Sequence, residues 1–513
     1  MKNLPDNLYS VDSIVQIEQT AINQFGIPAV ELMTRAGKAV FDVIKNNELK
    51  HKNVLVLCGA GNNAGDGYVV AKLAKQAGLN VSVISLIDPL TLKNEAALAY
   101  QQWLTVGENT AVEALIGGEL LETSDIVVDA ILGTGLTRDV SADWQHWITL
   151  INKSDVPVVA VDIPSGLIAD TGAIAGAAIK AAFTVCFIGL KKGMFTAQAK
   201  DVCGEIIFDD LNLSDDVYTS AKVEVDARLI SVTDYSLLPE RKASSNKGNF
   251  GHVLIVGGNR DMPGAIILAA TAALRTGAGL VTILTVAENL SAISLAVPEA
   301  MVKTCEKDNI SDVITESFIA GISHIAIGMG LGQDDWSLAL LSYCAGLNKP
   351  MLIDADALNL LATNKIEIKS SVVITPHPGE AARLLSSVSR LNSADIQRNR
   401  FASVKQLHGL FAGSESCLVI LKGSGSLIFD GHSLKVCSLG NAAMAAPGMG
   451  DVLSGIVIAL MAQGINISDA AELAVCLHAS AAGIVSGDNT RGLLASDVVD
   501  VLPDVLQYPP GKN

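Results

Sequence analysis

The chain has 513 residues, of which half are apolar and 4% are aromatic, and its formal net charge at pH 7 is −17. A chain of this length is expected to form two to four domains of roughly 150 residues each. The negative charge excludes a general nucleic-acid or acidic-membrane partner, since both require basic surfaces. It does not exclude anionic small molecules, which a local turn of an acidic protein can bind.

The first half of the chain alternates predicted strands with predicted helices. After two helices at residues 11–25 and 29–45, short β-branched runs predict strands at residues 53–58, 80–87, 126–131, 157–163, 183–188 and 206–208. Helices are predicted between them at residues 68–78, 92–105 and 143–152. Near-continuous apolar strands separated by helices indicate a parallel sheet covered on both faces, here a Rossmann-like three-layer α/β/α domain.

A polar, charge-mixed stretch at residues 214–249 predicts a junction between two domains, at residues 1–225 and 226–513. The alternation then restarts, so the second domain is also α/β. It has a helix at residues 264–277 and strands at residues 252–256, 280–286, 324–327, 350–353, 372–374 and 417–422. A hairpin at residues 427–430 and 433–437 follows, and the chain from residue 451 onward is predicted to be helical, beginning with a helix at residues 452–463.

The distribution of cysteines and apolar runs predicts a cytoplasmic protein. The eight cysteines form no CxxC pair and lie mostly inside apolar runs, which is typical of buried, reduced thiols. The polar first residues do not resemble a signal peptide. The apolar helix after residue 264 is interrupted by Arg275, and we interpret it as a buried helix rather than a membrane span.

The first glycine-rich stretch, GAGNNAGDG at residues 59–67, follows a predicted strand. It fits the GxGxxG/A pattern, so a dinucleotide-dependent oxidoreductase has to be considered, but the acidic residue expected about twenty positions later has only Asp88 as a candidate. Asn62 and Asn63 also allow a purely structural interpretation, as turn residues that tolerate a left-handed backbone.

Two later motifs favour a catalytic crevice. VDAILGTGL at residues 128–136 and VDIPSGL at residues 161–167 place polar residues at the ends of neighbouring strands, where parallel sheets bind ligands. The oxygens of Asn63, Asp129 and Ser165 are expected to converge on a hard cation. One carboxylate with neutral oxygens suits a large monovalent ion better than Mg²⁺. Asp162 is left for proton transfer, and the alternative is that Asp129 and Asp162 merely cap loops.

Together these motifs resemble the epimerase domain of the bifunctional NAD(P)H-hydrate repair enzymes, over residues 11–210. The resemblance implies that Asp162 is the acid/base and that Asn63, Asp129 and Ser165 bind K⁺. It also implies that the first glycine-rich stretch holds the phosphates of the substrate. The implied substrate-binding residues, besides Asp162, are Asn62, Asn63, Ala64, Gly65, Asp66, Gly133, Thr134, Gly135, Leu136, Thr137, Arg138 and Asp139.

The second glycine-rich stretch, NAAMAAPGMGDVLSG at residues 441–455, ends in a predicted anion-binding turn. Gly448, Met449 and Gly450 are expected to wrap backbone N–H groups around a phosphate, because the amides at a helix N-terminus carry partial positive charge. Asp451 follows at the start of an apolar helix. A carboxylate in that position is useful if it handles a proton or a metal.

This stretch, with NKGNFGH at residues 246–252, TPHPGE at residues 375–380 and KGSG at residues 422–425, resembles the ribokinase-like dehydratase half of the same enzymes, over residues 238–506. Asp451 is then the base and His377 a substrate contact, although a lone histidine is more often structural. Gly264, Ala265, Gly330 and Gly332 are expected to line the hydrate pocket. The expected nucleotide-binding residues are Lys422, Gly423, Ser424, Gly425, Ser426, Asn441, Ala442, Ala443, Met444, Ala445, Gly448, Met449 and Gly450.

The sequence therefore predicts an enzyme that repairs hydrated nicotinamide cofactors. It should epimerise the R and S hydrates of NADH and NADPH (NADHX and NADPHX) with K⁺ bound. It should also dehydrate the S hydrate at the expense of ADP, with Mg²⁺ inferred from the chemistry of phosphoryl transfer. The alternative is a ribokinase-like kinase of a vitamin or sugar fused to a non-catalytic ligand-binding module. A homo-oligomer without a membrane or nucleic-acid partner is expected.

Overall fold

A computed structural model describes residues 4–46, 52–116, 118–230 and 235–507. Part of the predicted junction, residues 231–234, lies outside the described residues. The chain divides into two compact units, Met1–Arg228 and Leu229–Asn513. Each unit is built on a largely parallel sheet with helices, so the predicted two-domain α/β class is confirmed.

The sheet of the first unit has six parallel strands, and all six were predicted from the sequence. Their order across the sheet is Asn80–Ser85, Asn53–Cys58, Ile126–Ala130, Val158–Val161, Phe183–Phe187 and Glu205–Asp209. The central strands are buried along their whole length, as expected for a parallel sheet. A short strand, Asn7–Tyr9, pairs with Leu190–Lys191 outside this sheet.

The helices of the first unit comprise five that were predicted, one of them with a different N-terminus, and three short ones, the fifth, sixth and eighth along the chain, that were not. They are Val11–Asn23, Ala29–Asn46, Gly61–Gln76, Asn94–Trp103, Glu113–Ile116, Glu119–Glu122, Ala142–Lys153 and Asp215–Ala221. The third begins at Gly61 rather than at residue 68, so most of the first glycine-rich stretch is helical rather than a turn. Small residues serve packing there: a Cβ on Gly67 would lie 2.6 Å from the Ala130 Cβ. Close contact with the sheet therefore outweighs the poor helix propensity of Gly and Asn.

The sheet of the second unit has seven parallel strands followed by an antiparallel hairpin. Their order is Met301–Thr304, Leu280–Thr285, His252–Val256, His324–Ile327, Met351–Ile353, Val372–Ile374, Cys417–Leu421, Ser426–Phe429 and Leu434–Cys437. The edge strand Met301–Thr304 was not predicted, because its four residues carry no clear alternation and none of them is fully buried.

Helix Met449–Ala462 forms the centre of the hydrophobic core of the second unit. It packs closely on Pro263–Thr276, since a Cβ on Gly455 would lie only 2.2 Å from the Ala269 carbonyl oxygen. The remaining helices of this unit are Leu290–Ala296, Ile310–Val313, Glu316–Ala320, Asp335–Ala345, Ala355–Thr363, Pro378–Leu385, Ser393–Arg398, Arg400–Gly409, Ile467–Ser486 and Ala495–Gln507.

The apolar helices and the cysteines of the described structure are buried. Helix Ile467–Ser486 is long and apolar enough to cross a membrane, but 61% of its most apolar window is buried inside the structure, as in a core helix. Helix Pro263–Thr276 is shorter and packs against the core, as predicted. All eight cysteines are buried free thiols.

Candidate active sites

The first unit contains a cavity of about 690 Å³ at the carboxyl ends of its parallel strands. Helices Val11–Asn23 and Ala29–Asn46 supply an apolar wall through residues such as Ile14, Leu32 and Met33. Most predicted substrate-binding residues line the cavity, namely Asn62, Asn63, Asp66, Gly133, Thr134, Gly135, Leu136, Thr137, Arg138 and Asp162. The first turns of helix Gly61–Gln76 and the two loops that carry these residues therefore meet at one place, as expected for the ends of neighbouring parallel strands.

Three predicted residues do not belong to the lining of this cavity. Ala64 is fully buried in the hydrophobic core, and a Cβ on Gly65 would lie 2.6 Å from the Met33 sulfur. Both lie within helix Gly61–Gln76, where successive side chains point in different directions. Asp139 is exposed beyond the end of the lining loop. Substrate contacts by these three residues stay a prediction.

Asp162 is held at the cavity by a buried lysine. It directly follows strand Val158–Val161 with a left-handed φ of 66°. Its Oδ1 accepts a hydrogen bond from the backbone N–H of Phe187 at 3.0 Å and pairs with the ammonium of Lys191. The Lys191 side chain is fully buried and also donates to the Phe187 carbonyl oxygen at 3.0 Å. One carboxylate oxygen of Asp162 is thus fixed in position beside a positive charge.

Three further carboxyl groups line the cavity with Asp162, those of Glu18, Asp66 and Glu95. Burial, and then the negative charges of Asp162 and Glu18, raise the pKa of Asp66 well above its ordinary value. Burial, and then the charge of Asp162, also raise the pKa of Glu18. The ammonium of Lys191 opposes both shifts. Carboxyl groups with raised pKa values beside an ion-paired carboxylate can serve as proton donors and acceptors.

The three predicted cation ligands lie next to the same cavity. Asp129 is fully buried, and its carboxylate accepts hydrogen bonds from the Ser165 hydroxyl at 2.5 Å and the Ser165 backbone N–H at 2.8 Å. The Ser165 Oγ also lies 3.2 Å from the carbonyl oxygen of Leu132. Asn63 is buried with its Nδ2 unpaired among the described residues. Burial raises the pKa of Asp129 to about 6, so the carboxylate is charged at neutral pH.

In the second unit, Asp451 lies in the first turn of helix Met449–Ala462. Gly448 is the N-cap, with a left-handed φ of 83° that glycine adopts without steric penalty. The helix begins three residues earlier than predicted, so Met449 and Gly450 form its first turn rather than a loop. Their N–H groups precede the intrahelical ladder, and an anion remains a suitable partner for them.

Lys422 brings a positive charge to the N-terminus of this helix. Its Nζ pairs with Asp354 Oδ1 at 2.7 Å and lies 3.9 Å from Glu380 Oε2. A Cβ on Gly450 would lie 3.1 Å from the same Nζ, so Lys422 directly adjoins the first turn. The buried Asp354 is also fixed by the Ser454 hydroxyl at 2.7 Å. The ion pair between Lys422 and Asp354 was not predicted from the sequence, because the two residues lie far apart in the chain.

The pKa of Asp451 suits a general base. Burial, and then the negative charge of Asp354, raise it to about 7, while the ammonium of Lys422 opposes the shift. Asp356 and Glu380 contribute in the raising direction. A carboxyl group with this pKa can take up a proton at neutral pH and release it again.

His377 caps a helix, which is the structural role that the sequence analysis weighed against substrate binding. Its Nδ1 accepts a hydrogen bond from the Gly379 N–H at 2.9 Å at the start of helix Pro378–Leu385. Burial, and then the charge of Lys422, lower its pKa, so the imidazole is neutral at pH 7. Half of the side chain is exposed, and its contact with substrate stays a prediction.

The predicted hydrate-binding residues lie on two adjoining loops. A Cβ on Gly330 would lie 3.2 Å from the Ala265 Cβ, so these two predicted residues are neighbours. The N–H of Gly332 donates to Asp356 Oδ2 at 2.9 Å, which assigns Asp356 a loop-holding role. Gly264 is exposed at the start of helix Pro263–Thr276, and a Cβ at this position would have no atom within 4 Å.

The predicted nucleotide-binding residues fall into two segments besides the helix N-terminus. Residues 422–425 connect strands Cys417–Leu421 and Ser426–Phe429, and Ser426 is the first residue of the second strand. Asn441 caps the short 3₁₀ helix Ala442–Met444 by accepting from the Ala443 N–H at 3.0 Å. Ala445 is the C-cap of that helix. Nucleotide contacts by these residues stay a prediction.

Lys191 is the main site residue that the sequence analysis missed. It lies just after the buried strand Phe183–Phe187, in the run FIGLKKGMF, where a lysine inside apolar sequence signals a buried charge that needs a partner. Glu18 was missed because it lies on an N-terminal helix far from the glycine motifs in sequence.

The fold and the two sites define a two-unit α/β enzyme. One unit has a cavity lined by several carboxyl groups and a buried lysine, and the other has a carboxylate and a lysine at the N-terminus of a buried helix. The family model described as YjeF-related protein N-terminus matches residues 29–193, and that described as NAD(P)H-hydrate dehydratase matches residues 253–504.

The bifunctional NAD(P)H-hydrate repair enzyme Nnr of Vibrio cholerae is 40% identical over 98% of this chain and 99% of its own. The enzyme of the same name from Escherichia coli is 39% identical over 98% and 95%. The chain belongs to the bifunctional NAD(P)H-hydrate repair enzymes. The predicted family and bifunctional repair function are thereby confirmed, and the kinase alternative is set aside.

Among solved structures, the ADP/ATP-dependent NAD(P)H-hydrate dehydratase from Bacillus subtilis, co-crystallised with ATP and Mg²⁺, is 29% identical. The aligned region covers 53% of this chain and 95% of the Bacillus subtilis chain, with a TM-score of 0.47.

Proposed function

We propose that the second unit converts the S hydrate of NADH or NADPH to the intact cofactor, with ADP as phosphoryl donor. The observation that carries this proposal is the position of Asp451 in the first turn of a buried helix that adjoins the ammonium of Lys422. A phosphate would be repelled by a carboxylate alone, but Lys422 and the first-turn N–H groups offset that charge. Such a site combines a base with an anion cradle.

The proposed chemistry converts a poor leaving group into a good one. The hydrate carries a hydroxyl on the carbon beside the ring nitrogen, and hydroxide leaves poorly. Asp451 takes the hydroxyl proton while the oxygen attacks the terminal phosphorus of ADP, which releases AMP. The first-turn amides and Lys422 stabilise the transferring group. The ring nitrogen then expels phosphate, and loss of a proton from the adjacent carbon gives NADH or NADPH.

We propose that the first unit interconverts the R and S hydrates, with Asp162 as the acid/base group. The ion pair with Lys191 fixes Oδ1 of Asp162 and so orients the carboxylate toward one reacting carbon. Asp66 supplies a second carboxyl group that lines the same cavity. The cavity volume of about 690 Å³ is within the usual range for small-molecule sites.

We assign K⁺ to Asn63, Asp129 and Ser165. Their donor set fits this ion, because one buried carboxylate, a hydroxyl and the nearby Leu132 carbonyl give oxygens with a single negative charge. The unpaired amide nitrogen of Asn63 supports the assignment: rotating the amide by 180° would present Oδ1 in its place. A bound K⁺ would supply positive charge next to the substrate cavity.

Mg²⁺ is the ion that we expect at the dehydratase site. Among the described residues there is no group of three or more His, Cys, Asp or Glu side chains arranged to hold a metal. Mg²⁺ commonly binds through one or two carboxylates plus substrate phosphates, so the donor set fits an ion that arrives with the nucleotide. We assign the ion to Asp356, because its negative charge acts on Asp451; the same carboxylate also accepts the hydrogen bond from the Gly332 N–H.

We further propose that the two domains span residues 1–225 and 226–513. Both NADHX and NADPHX are proposed as substrates. The protein is proposed to be a homo-oligomer that works in the cytoplasm. The buried free thiols of all eight cysteines support a reducing compartment.

Two isosteric variants test the two-site proposal. Asp451→Asn should slow dehydration by about a hundredfold or more and leave epimerisation unchanged, because only the base of the second unit is lost. Asp162→Asn should have the reverse effect. Dehydration is followed by NADH absorbance, and epimerisation by chromatography of the separated hydrates. Asp216→Asn, at an exposed position of helix Asp215–Ala221, is the control. Loss of both activities in either active-site variant would contradict two independent sites.

A further inference from the structure

The loop at residues 422–425 rests on the guanidinium group of Arg400. The Nη2 atom of Arg400 donates to the carbonyl oxygens of Leu421 at 3.0 Å, Lys422 at 3.2 Å and Gly425 at 3.4 Å. The Nη1 atom donates to the same Lys422 oxygen at 3.2 Å and to Gln397 Oε1 at 2.9 Å. Arg400 therefore donates hydrogen bonds to three carbonyl oxygens of one short segment. The Lys422 carbonyl oxygen accepts from both of its terminal nitrogens.

These contacts determine which side of the loop exposes its N–H groups. In a trans peptide the C=O of one residue and the N–H of the next point in opposite directions. Because the Lys422 carbonyl faces Arg400, the N–H of Gly423 faces the other side of the loop. A buried cation that attracts carbonyl oxygens thus presents a backbone donor on the opposite face, where an anion can accept it.

Gly423 shows how closely the loop approaches Arg400. Its φ of 135° is one that residues with a side chain rarely adopt, and a Cβ there would lie 2.9 Å from Nη1 of Arg400. The glycine therefore permits both the backbone conformation and the contact distance. A side chain at this position would push the loop away from the guanidinium.

Arg400 also remains charged in its buried position. Its side chain has no exposed surface, and burial lowers its pKa to about 10, which is still well above neutral pH. Arg400 binds the backbone carbonyl oxygen of Lys422, and Asp354 pairs with the side-chain ammonium of Lys422 at 2.7 Å. Arg400 thus influences both the loop backbone and the direction of the Lys422 side chain.

We propose that Arg400 is a positioning residue for the nucleotide, which sets the loop of residues 422–425 so that the Gly423 N–H and the Lys422 ammonium face the phosphates of ADP. This inference rests on the proposed use of a nucleotide by the second unit. It predicts that loss of the guanidinium weakens nucleotide binding far more than hydrate binding, because none of the residues assigned to the hydrate pocket lies in this loop.

The test uses the full-length chain with Arg400→Met and Arg400→Lys, and with Arg398→Met as a matched control. Arg398 is an exposed arginine two positions away. We expect Arg400→Met to raise the KM for ADP by about tenfold or more, since each lost hydrogen bond to a charged group weakens the loop. The KM for the S hydrate and the epimerisation rate of the same chain should change by less than about twofold. Arg398→Met should behave as wild type.

Arg400→Lys keeps the positive charge and most of the packing. It replaces a guanidinium group that binds three carbonyl oxygens with a single ammonium group. It should fold and still raise the KM for ADP, and the upward shift of Tm by ADP should shrink in the same variant. If Arg400→Met does not fold, the lysine variant carries the test. An unchanged KM for ADP in the folded variants, or equal rises in both KM values, would overturn the inference. Failure of the wild-type chain to dehydrate the S hydrate with any nucleotide would instead overturn the proposed function.

Discussion

Asp451 and Asp162 are both carboxylates next to a lysine, but the contacts of the two lysines differ. Lys191 pairs directly with Asp162, whereas Lys422 pairs with Asp354 and only adjoins the first turn that carries Asp451. Asp451 is therefore free of a direct ion pair among the described contacts, and the nearby negative charges keep its affinity for protons high. This difference suits a base that must accept a proton during phosphoryl transfer.

The raised pKa of Asp451 predicts how dehydration depends on pH. The base must be deprotonated, so kcat/KM for the S hydrate should rise with pH through a midpoint near the pKa of about 7. The measurement is the initial rate of NADH formation at limiting S hydrate between about pH 5.5 and about pH 8.5. A rate that is flat or falling across this range would contradict the assignment of Asp451 as the base.

The same shift has a consequence for stability. The pKa of Asp451 is higher in the folded state than in the unfolded chain, so protonation of Asp451 stabilises the folded state. This contribution to the free energy of unfolding decreases as pH rises from about 4 to about 7. Asp451→Asn, which cannot ionise, should therefore raise Tm relative to wild type at pH 8 and have little effect at pH 4. A Tm difference independent of pH would count against the raised pKa.

At this scale the sequence predicted the residues that lie in motifs and missed their partners. Asp162 and Asp451 were identified because each is embedded in a glycine-containing strand-end or helix-start pattern. Lys191 and the Lys422–Asp354 pair were not, because ion pairs between distant segments leave no local pattern. His377 was predicted to contact the substrate. Its role as a helix cap could not be predicted, because the residue at which the helix begins was not known from the sequence.

At the scale of secondary structure, both candidate sites are made by ends of elements rather than by their middles. In the first unit, the strands Asn53–Cys58, Ile126–Ala130 and Val158–Val161 end at the same edge of the sheet. Polar residues reach one cavity from the loops that follow the last two strands and from the start of helix Gly61–Gln76, which follows the first. Parallel pairing brings these segments together, so the sheet itself assembles the proposed cation ligands.

The proposed K⁺ ligands give a prediction at this scale. Ser165→Ala removes a hydroxyl that contacts both Asp129 and the Leu132 carbonyl oxygen. We expect the K⁺ concentration for half-maximal epimerisation to rise by about tenfold or more, while dehydration stays unchanged. Ser141→Ala, at an exposed position, is the control. Epimerisation that proceeds equally well in K⁺ and in tetramethylammonium would contradict a K⁺ site.

The sequence predicted the central strands well because buried parallel strands form continuous β-branched runs. It predicted helix beginnings less well, and both errors fall on glycine-rich stretches. Gly61–Gln76 and Met449–Ala462 begin earlier than predicted, since glycine propensity indicates a turn while packing favours helix. In both helices the small residues permit close contact with neighbouring elements, which only the tertiary structure reveals.

At the scale of the whole molecule, the chain carries two α/β units, each with its own core and its own candidate site. Alternating strands and helices in two runs predicted this class, since helices between parallel strands must cover both faces of a sheet. A pairing of epimerase and dehydratase is chemically sensible, because a dehydratase that accepts one epimer leaves the other unrepaired.

The most direct test of two cooperating activities is the conversion of a mixture of R and S NADHX by the wild-type chain. The mixture is incubated with K⁺, Mg²⁺ and ADP, and NADH absorbance is followed to completion. We predict that both epimers are consumed, faster than they interconvert without enzyme. Conversion that stops when the S epimer is spent would contradict a catalytic first unit, and no conversion with either ADP or ATP would contradict the repair function itself.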